Sequence, residues 1–434
     1  MLSELIIRTK NFELNGIKMH TYTDKQREAI ELCCDTTKRI VSVTGAAGSG
    51  KTTIMRNVFH TLQKNDASVA ICAPTGKAAK RITEATGIPA ITIHRLLEYP
   101  MPGDVDDNGK PKQVHEPARN SRRPLLYNVI LVDESAMISQ ELWRALIDAL
   151  PSNGAIRLFG DINQLPPIEA MEHKDVLSPF GKALKTHPAV VLDVIHRQAL
   201  DSGILFNANR ILLGHPPVSR EDFELIVTGK PIEALHTLCE SIDFGALDNQ
   251  IISPTNKGWV GVHQLNERLK SRINPRPDPS DWLMLPRNVW DEKDGRTTLN
   301  VAIGDKVVYG LNNYELSIFN GEVGKITKLD QDNGDVYIDF GDREVKIPPT
   351  QQLKNKYGKM MAIDPRKSIE LAYVLSTHKC QGSEYKKVAY IMNKSRSFNL
   401  NRNNIYTAVT RSKEKMFVIS DNYSLQKSVM MRGI

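Results

Sequence analysis

The chain is predicted to be an α/β protein built on parallel sheets, and three features of its 434 residues predict it. Short β-branched runs recur along the sequence, helical patterns lie between them, and almost every run ends in a glycine or polar cluster. Strands alternating with helices supply the long crossovers that parallel pairing requires. Chemistry is then expected at the strand ends, where open α/β sheets build their ligand sites.

In order, the runs are "RIVSVTG" (39–45), "SVAICAPT" (68–75), "NVILVDE" (128–134), "AIRLFGD" (155–161), "AVVLDVIHR" (189–197), "QIISPT" (250–255), "LAYVLSTH" (371–378), "KVAYIM" (387–392) and "KMFVIS" (415–420). Most are apolar at consecutive positions, the pattern of strands buried on both faces. Helical patterns are "TDKQREAIELCC", "GKAAKRITEAT", "SQELWRALIDAL" and "WVGVHQLNERLKSRI". Two stretches break the rhythm. Residues 100–126 are rich in proline, glycine and charge, and "DDNGK" is a turn signal, so a protruding hairpin or loop is expected. Residues 303–349 carry "GDKVVYG", "GEVGKITKLD", "GDVYIDFGD" and "REVKIPP", a small all-β insertion.

With 41% hydrophobic and 25% charged residues, the chain has the composition of a soluble globular protein of two or three domains. Lys and Arg number 57 against 50 Asp and Glu, a net charge of +7 that suits a polyanionic partner without demanding one. Five cysteines (Cys33, Cys34, Cys72, Cys239, Cys380) form no CxxC pair and no zinc-finger spacing, so reduced thiols in a cytosolic setting are expected. The segment "MLSELIIRTKNFELNG" has no signal-peptide pattern, and no apolar run is long enough to span a bilayer. A cytoplasmic protein with no membrane partner is expected.

"TGAAGSGKTT" matches the phosphate-loop pattern in full: Gly45, Ala46, Ala47, Gly48, Ser49, Gly50, Lys51, Thr52 and Thr53 follow a strand and open a helix. The glycines let backbone amides approach phosphates, Lys51 reaches the β/γ-phosphates, and Thr52 ligates Mg²⁺. "VILVDESAM" adds Asp133 for the Mg²⁺ shell and Glu134 to orient or deprotonate the attacking water. Together they describe a nucleoside triphosphatase that uses Mg²⁺.

Four other positions have two readings on local grounds. Gln164 in "GDINQLPPI" is an uncharged group able to sense a γ-phosphate, or part of a rigid turn. Gln26 in "YTDKQREAI" can read adenine, or close a capping box with Thr23. Arg197 in "VIHRQA" and Arg411 in "YTAVTRSKEK" can stabilise transition-state charge, or lie on the surface. "STHKCQGSEY" (376–385) sets Cys380 after His378 and Lys379, a neighbourhood able to activate a thiol.

The ordered set of these motifs, from about Tyr22 to Ser420, resembles superfamily 1 helicases, most closely the RecD and Dda-like branch. "APTGKAAKRI" followed by "TIHRLL", and the two last motifs, carry the specificity; the phosphate loop is generic. The resemblance implies two RecA-like domains with ATP between them and single-stranded DNA across the top. It implies a first domain over 21–185 after an N-terminal extension (1–20), a strand-separating pin in the first domain near 100–126, a second domain over 186–302 and 368–434, and a small barrel over 303–367. By the same resemblance, Gln26 is the adenine reader, Gln164 the γ-phosphate sensor, and Arg197 and Arg411 the second-domain arginines. Gly382 and Glu384 approach the nucleotide.

For the nucleic-acid track, the hydroxyls, amides, basic groups and rings at loop ends are Pro74, Thr75, Lys77, Thr92, His94, Thr255, Asn256, Lys257, Thr377 and His378, with Tyr99 the stacking candidate at the pin base. The pin itself holds no aromatic residue, only His115, and its far arm is basic (Arg119, Arg122, Arg123), so steric exclusion with arginines on phosphates is expected. In "STHKCQGSEY" the resemblance implies that Thr377 and His378 face DNA, that Gln381, Gly382 and Glu384 face the nucleotide, and that Cys380 packs. The resemblance implies a monomeric 5′-to-3′ motor on single-stranded DNA and at its junction with duplex, working beside single-strand-binding, replication or recombination proteins. A translocase that remodels protein–DNA complexes and a non-catalytic DNA-binding subunit are the competing readings.

Overall fold

The computed structural model describes residues 22–99, 117–167, 177–192, 202–276, 278–287, 298–311, 313, 315–354, 360–394 and 399–431. Two parallel sheets dominate it. The first joins β1 (Ile40–Gly45), β2 (Val69–Ala73), β3 (Ala90–Thr92), β4 (Val129–Val132), β5 (Ala155–Gly160) and β6 (Ala189–Leu192) in the order β3-β2-β4-β5-β1-β6. Every pairing is parallel. The consecutive apolar runs follow from burial on both faces. Val129 and Leu131 pack with Ile54, Met55 and Ile82 on one side, while Ile130 and Val132 pack with Leu142, Leu146 and Phe180 on the other.

A buried arginine fixes one edge of this layer. Arg157 on β5 is fully buried, and its guanidinium donates to the carbonyls of Cys33, Asp35, Lys38 and Ile156. Two of those carbonyls lie at the C-terminal end of α1 (Asp24–Cys34), where helix acceptors have no internal partner. The helix that begins near Gln26 is thereby anchored to the sheet.

The second sheet is also wholly parallel, in the order 374–376, β8 (Asn249–Ser253), 385–392, 412–420, β7 (Phe223–Val227). The β insertion is a five-stranded antiparallel sheet ordered 344–347, 336–339, 323–329, 306–309, 369–371. Two ribbons flank it, Trp282–Pro286 with Thr298–Ala302 and Gln351–Lys354 with Met360–Ile363. Its Val307, Ile326, Val336 and Ile338 share one core with Ile251, Ala389, Ile391 and Phe417 of the second sheet. The insertion is therefore built onto the second domain.

Three boundaries differ from expectation. The first domain extends past 185, because β6 pairs with β1. "LAYVLSTH" is two strands: Ile369–Leu371 closes the antiparallel insertion, and Val374–Ser376 enters the parallel sheet. The insertion accordingly runs past 367. Residues 1–20, most of the expected pin (100–116, with His115) and the motif containing Arg197 lie outside the described residues.

A candidate nucleotide cleft and nucleic-acid face

The loop between β1 and α2 (Lys51–Lys64) is shaped by glycine. Gly48 and Gly50 have φ of 78° and 88°, the left-handed region that side chains resist. The turn delivers the chain into α2, whose first amides lack intrahelical partners and carry the positive end of the helix dipole. Lys51 Nζ donates to Gly45 O (2.7 Å) and Ala46 O (3.0 Å), which holds its charge against the loop. The Ser49 hydroxyl is buried without a partner.

Gln26 meets both of its readings at once. Thr23 and Gln26 form a reciprocal capping box at the start of α1. The Gln26 amide also donates to Ser49 O at 3.1 Å, which sets it directly on the phosphate loop.

The acidic pair closes the other side. Asp133 follows β4, and its amide donates to Cys72 O. Glu134 adopts φ 47° and ψ 38°, a left-handed conformation that costs a non-glycine residue about 1–2 kcal/mol. Met137 N–H bonded to Glu134 O and Ser135 Oγ bonded to Val132 O hold the turn. Both carboxylates are buried, and burial beside Glu134 pushes the Asp133 pKa up, with Arg81 and Lys51 opposing it.

Thr52 and Asp133 present oxygen donors, the set Mg²⁺ accepts. Among the described residues no group of three or more His, Cys, Asp or Glu could hold a metal ion by itself. That donor set fits an ion held jointly with substrate phosphates.

After β5 comes the loop Asp161–Leu165, and the second domain grips it from end to end. Tyr406 donates its hydroxyl to Asp161 Oδ2 (2.5 Å), Asn403 donates to Asn163 O (3.0 Å), Thr407 Oγ1 accepts from Leu165 N (3.0 Å), and Gln381 donates to Leu165 O (2.7 Å). The Tyr406 hydroxyl also accepts from the Ala47 amide of the phosphate loop at 3.2 Å. Gln164 is buried within this loop, and its side-chain oxygen has no hydrogen-bond partner. An acceptor left dry in this way is costly, and it suits a group that binds water or a phosphate-bound proton.

Arg411 lies behind the seam, donating to Thr407 O, Ser383 O and Thr410 Oγ1, all in its own domain. Gly382, with φ 72°, packs on helix Gly76–Thr86: a Cβ there would stand 3.2 Å from Thr75 Oγ1. Glu384 pairs with Arg81 (3.1 Å) and Lys413 (2.9 Å).

The nucleic-acid candidates divide. Thr75 and Thr92 cap their helices by accepting from Ala78 N and Arg95 N, Pro74 is half-buried beside them, and the His94 and Tyr99 rings lie 5.1 Å apart. Burial lowers the pKa of both His94 and His378. Thr255 is half-buried, its hydroxyl without a partner, while Asn256 and Lys257 are exposed. Two expectations need correction. Thr377 is fully buried with its hydroxyl on Asn404 Oδ1 (2.6 Å), so it fixes the loop and presents nothing to a strand. Arg119 is buried against Glu98 and also donates to Pro124 O, so of the three only Arg122 and Arg123 are exposed, and Arg123 also pairs with Glu98. Lys77 is half-buried, and burial lowers its pKa, with Cys380 and Glu322 opposing the shift.

Cys380 is fully buried, and burial pushes its thiol up to about 11. All five cysteines are free. Cys380 is thus placed as a packing residue, and it lacks the exposure that an activated thiol needs. Four residues had escaped attention: Arg81, Asp161 and Tyr406, each inside a quoted motif, and Trp259. Trp259 follows the exposed Asn256 and Lys257, is 58% exposed itself, and carries the Arg268 guanidinium 3.8 Å from its ring.

Residues 21–228 match the family model described as an AAA domain, and residues 371–419 match the UvrD-like helicase C-terminal domain. The chain is 28% identical over 388 residues to the ATP-dependent RecD2 DNA helicase of Deinococcus radiodurans, covering 87% of this chain and 46% of that protein. It is 26% identical over 459 residues to the RecBCD enzyme subunit RecD of Mycobacterium tuberculosis, covering 95% of this chain and 71% of the subunit. The chain thus spans less than half the length of the Deinococcus relative. A Bacteroides Pif1 helicase solved in complex with ADP-AlF3 and ssDNA superposes with a TM-score of 0.56 at 19% identity, covering 94% of each chain. That likeness establishes the fold of two RecA-like domains.

Proposed function

We propose that the chain is a superfamily 1 helicase of the RecD kind, an ATP-dependent DNA helicase that moves 5′ to 3′ on single-stranded DNA, a reading supported by the two family models and the RecD relatives. One observation carries the reading: the Asp161–Leu165 loop, next to the phosphate loop, is held by Tyr406, Asn403, Thr407 and Gln381 of the other domain. A nucleotide seated there would touch a joint, so its presence or absence would bias the angle between domains.

In this reading Gly45 to Thr53 cradle the phosphates, with Lys51 as their counter-charge, and Gln26 holds the base side of the loop. Mg²⁺ on Thr52 and Asp133 would neutralise developing phosphate charge. Glu134 orients and deprotonates the water, and Gln164 offers its unpaired oxygen to that water. Arg411 and Arg197 supply second-domain charge, and Arg411 must exchange its carbonyl partners to do so. Gly382 and Glu384 line the second-domain side. DNA runs over Pro74, Thr75, Lys77, Thr92, His94, Tyr99, Thr255, Asn256 and His378, with Trp259 added as a stacking platform. One chain supplies both sides of the cleft and is taken as the working unit.

The test is strand displacement on duplexes with a 5′ or a 3′ single-stranded tail, run beside DNA-stimulated ATP hydrolysis. The proposal expects unwinding of the 5′-tailed substrate and loss of hydrolysis in Lys51→Ala. Hydrolysis without displacement would favour a translocase instead. The likeness to RecD, named as a subunit of the RecBCD enzyme, supports a second reading in which the chain works inside a larger recombination assembly. Stimulation of unwinding by copurifying proteins would favour it.

A further inference from the structure

Helix Gly76–Thr86 of the first domain touches both the second domain and the β insertion. Its capping residue Thr75 meets Gly382, Gly76 lies under the Phe319 ring of the β insertion, and Lys80 pairs with Asp342 of the same insertion. One turn beyond Lys77, at the helical spacing that shares a face, stands Arg81. Its Nη1 is 3.3 Å from Glu134 and 3.1 Å from Glu384, so one nitrogen serves a carboxylate from each domain. Burial works against the guanidinium's charge, but Glu134 and Glu384 outweigh it.

We propose that Arg81 is a positioning residue that couples DNA engagement to hydrolysis by holding Glu134 until the domains shift. The inference rests on the helicase reading above. A carboxylate paired with a guanidinium is a weaker base than a released one, because the opposite charge favours its ionised form. In the arrangement seen here, Glu134 shares Arg81 with Glu384, and Lys413 steadies Glu384 from the other side at 2.9 Å. DNA held at Thr75 acts on the N-terminus of the helix that carries Arg81. A rotation or slide of that helix relative to the loop at 382–384 makes the guanidinium choose one carboxylate. When it stays with Glu384, Glu134 is freed to accept a proton from water. DNA-free enzyme is then restrained by a shared ion pair, and the restraint is lifted only in the strand-bound state.

The experiment compares Arg81→Ala, Arg81→Lys and Glu384→Gln with the unsubstituted chain. Readouts are kcat and KM for ATP with and without a single-stranded oligonucleotide, plus Tm to establish folding. For Arg81→Ala, DNA-free kcat should rise and the ratio of stimulated to basal kcat should fall by about fivefold or more, the low end of coupling between sites, with KM little changed. Arg81→Lys keeps the charge and should restore part of the ratio. Glu384→Gln leaves Arg81 on Glu134 and should lower the stimulated kcat; this variant decides the matter if Arg81→Ala fails to fold. Equal loss of basal and stimulated kcat in Arg81→Ala, or an unchanged ratio in Glu384→Gln, would overturn the proposal. A chain with no DNA-stimulated hydrolysis at all overturns the helicase reading and this one together; normal stimulation with an unaffected ratio overturns this one alone.

Discussion

Replacing Tyr406 with phenylalanine removes one hydroxyl from the seam between the domains and leaves the ring's volume in place. That hydroxyl donates to Asp161 Oδ2 at 2.5 Å and accepts from the Ala47 amide at 3.2 Å. A bond to a charged group contributes about 1.5–3 kcal/mol and a neutral one about 0.5–1.5, so the seam should lose about 2–4.5 kcal/mol. Asp161 is fully buried, and burial raises its pKa even with Lys51 and Tyr406 opposing the shift. Without its donor, the carboxylate must take up a proton or draw in water, and either response loosens the loop. Each 1.4 kcal/mol is tenfold in an equilibrium, so local opening should become roughly thirtyfold to more than a thousandfold more frequent. Hydrogen exchange followed by mass spectrometry reads this directly in peptides covering 44–50 and 161–166, with the β4 peptide as an unaffected control. Native exchange in both peptides of a folded Tyr406→Phe variant would refute the claim that this hydroxyl holds the seam.

The other predictions concern the scaffold. Arg157→Met strands four carbonyl acceptors; at about 1–3 kcal/mol for an acceptor left dry, urea unfolding should show a loss of about 3 kcal/mol or more, and KM for ATP should rise because α1 carries Gln26. A loss under about 1 kcal/mol would mean water or repacking replaces the guanidinium. Cys380→Ser should keep most of the ATPase at a stability cost of about 1–3 kcal/mol for burying a hydroxyl, and abolished hydrolysis would reinstate a chemical role for the thiol. Lys306 is fully buried, and burial lowers its pKa from 10.5 to about 7, with Asp243 and Asp248 opposing the fall, while its amino group donates to the carbonyls of Ala246 and Asn249. Since the folded pKa is the lower one, the unfolded chain binds more protons between about 7 and 10.5. Stability should therefore climb with pH through that window, and urea midpoints of Lys306→Met should show a flatter climb.

The parts legible in the sequence are those whose geometry is local. A phosphate loop is set by glycine spacing, and Gly48 and Gly50 take the positive φ values that spacing requires. Capping works the same way, since Thr23 and Gln26 are three residues apart. Parallel sheets followed from consecutive apolar runs. What a run of apolar residues does not encode is which sheet it joins. "LAYVLSTH" crosses from the antiparallel insertion to the parallel sheet at Ala372 and Tyr373, both fully buried, and Tyr373 is steered there by a bond to Asp305 Oδ1 (2.8 Å) far back in the chain. Thr377 was misread for the same reason: its partner Asn404 is 27 residues away, so nothing nearby marks the hydroxyl as already used.

Tyr406 was missed for a reason it shares with its helix neighbours Asn403 and Thr407, and that reason bears on mechanism. Tyr406, Asn403 and Thr407 are buried or half-buried polar groups on one helix, Arg402–Val409, whose apolar neighbours Ile405, Ala408 and Val409 fill the second domain's core. Judged within that domain alone, such groups would be expensive to bury. They are tolerated because the first domain supplies their partners at Asp161, Asn163, Leu165 and Ala47. Polar satisfaction of the helix thus depends on the position of the other domain. Separating the two leaves buried donors and acceptors unmet on both sides unless water enters, which makes the closed seam a defined state and not one point on a continuum of angles. A nucleotide that competes for the Ala47 amide, or a strand that pulls on the helix beginning at Thr75, acts on that defined state. On the proposed reading, part of the coupling between the candidate cleft and the candidate DNA face would pass through hydrogen bonds between residues more than 200 positions apart in the chain.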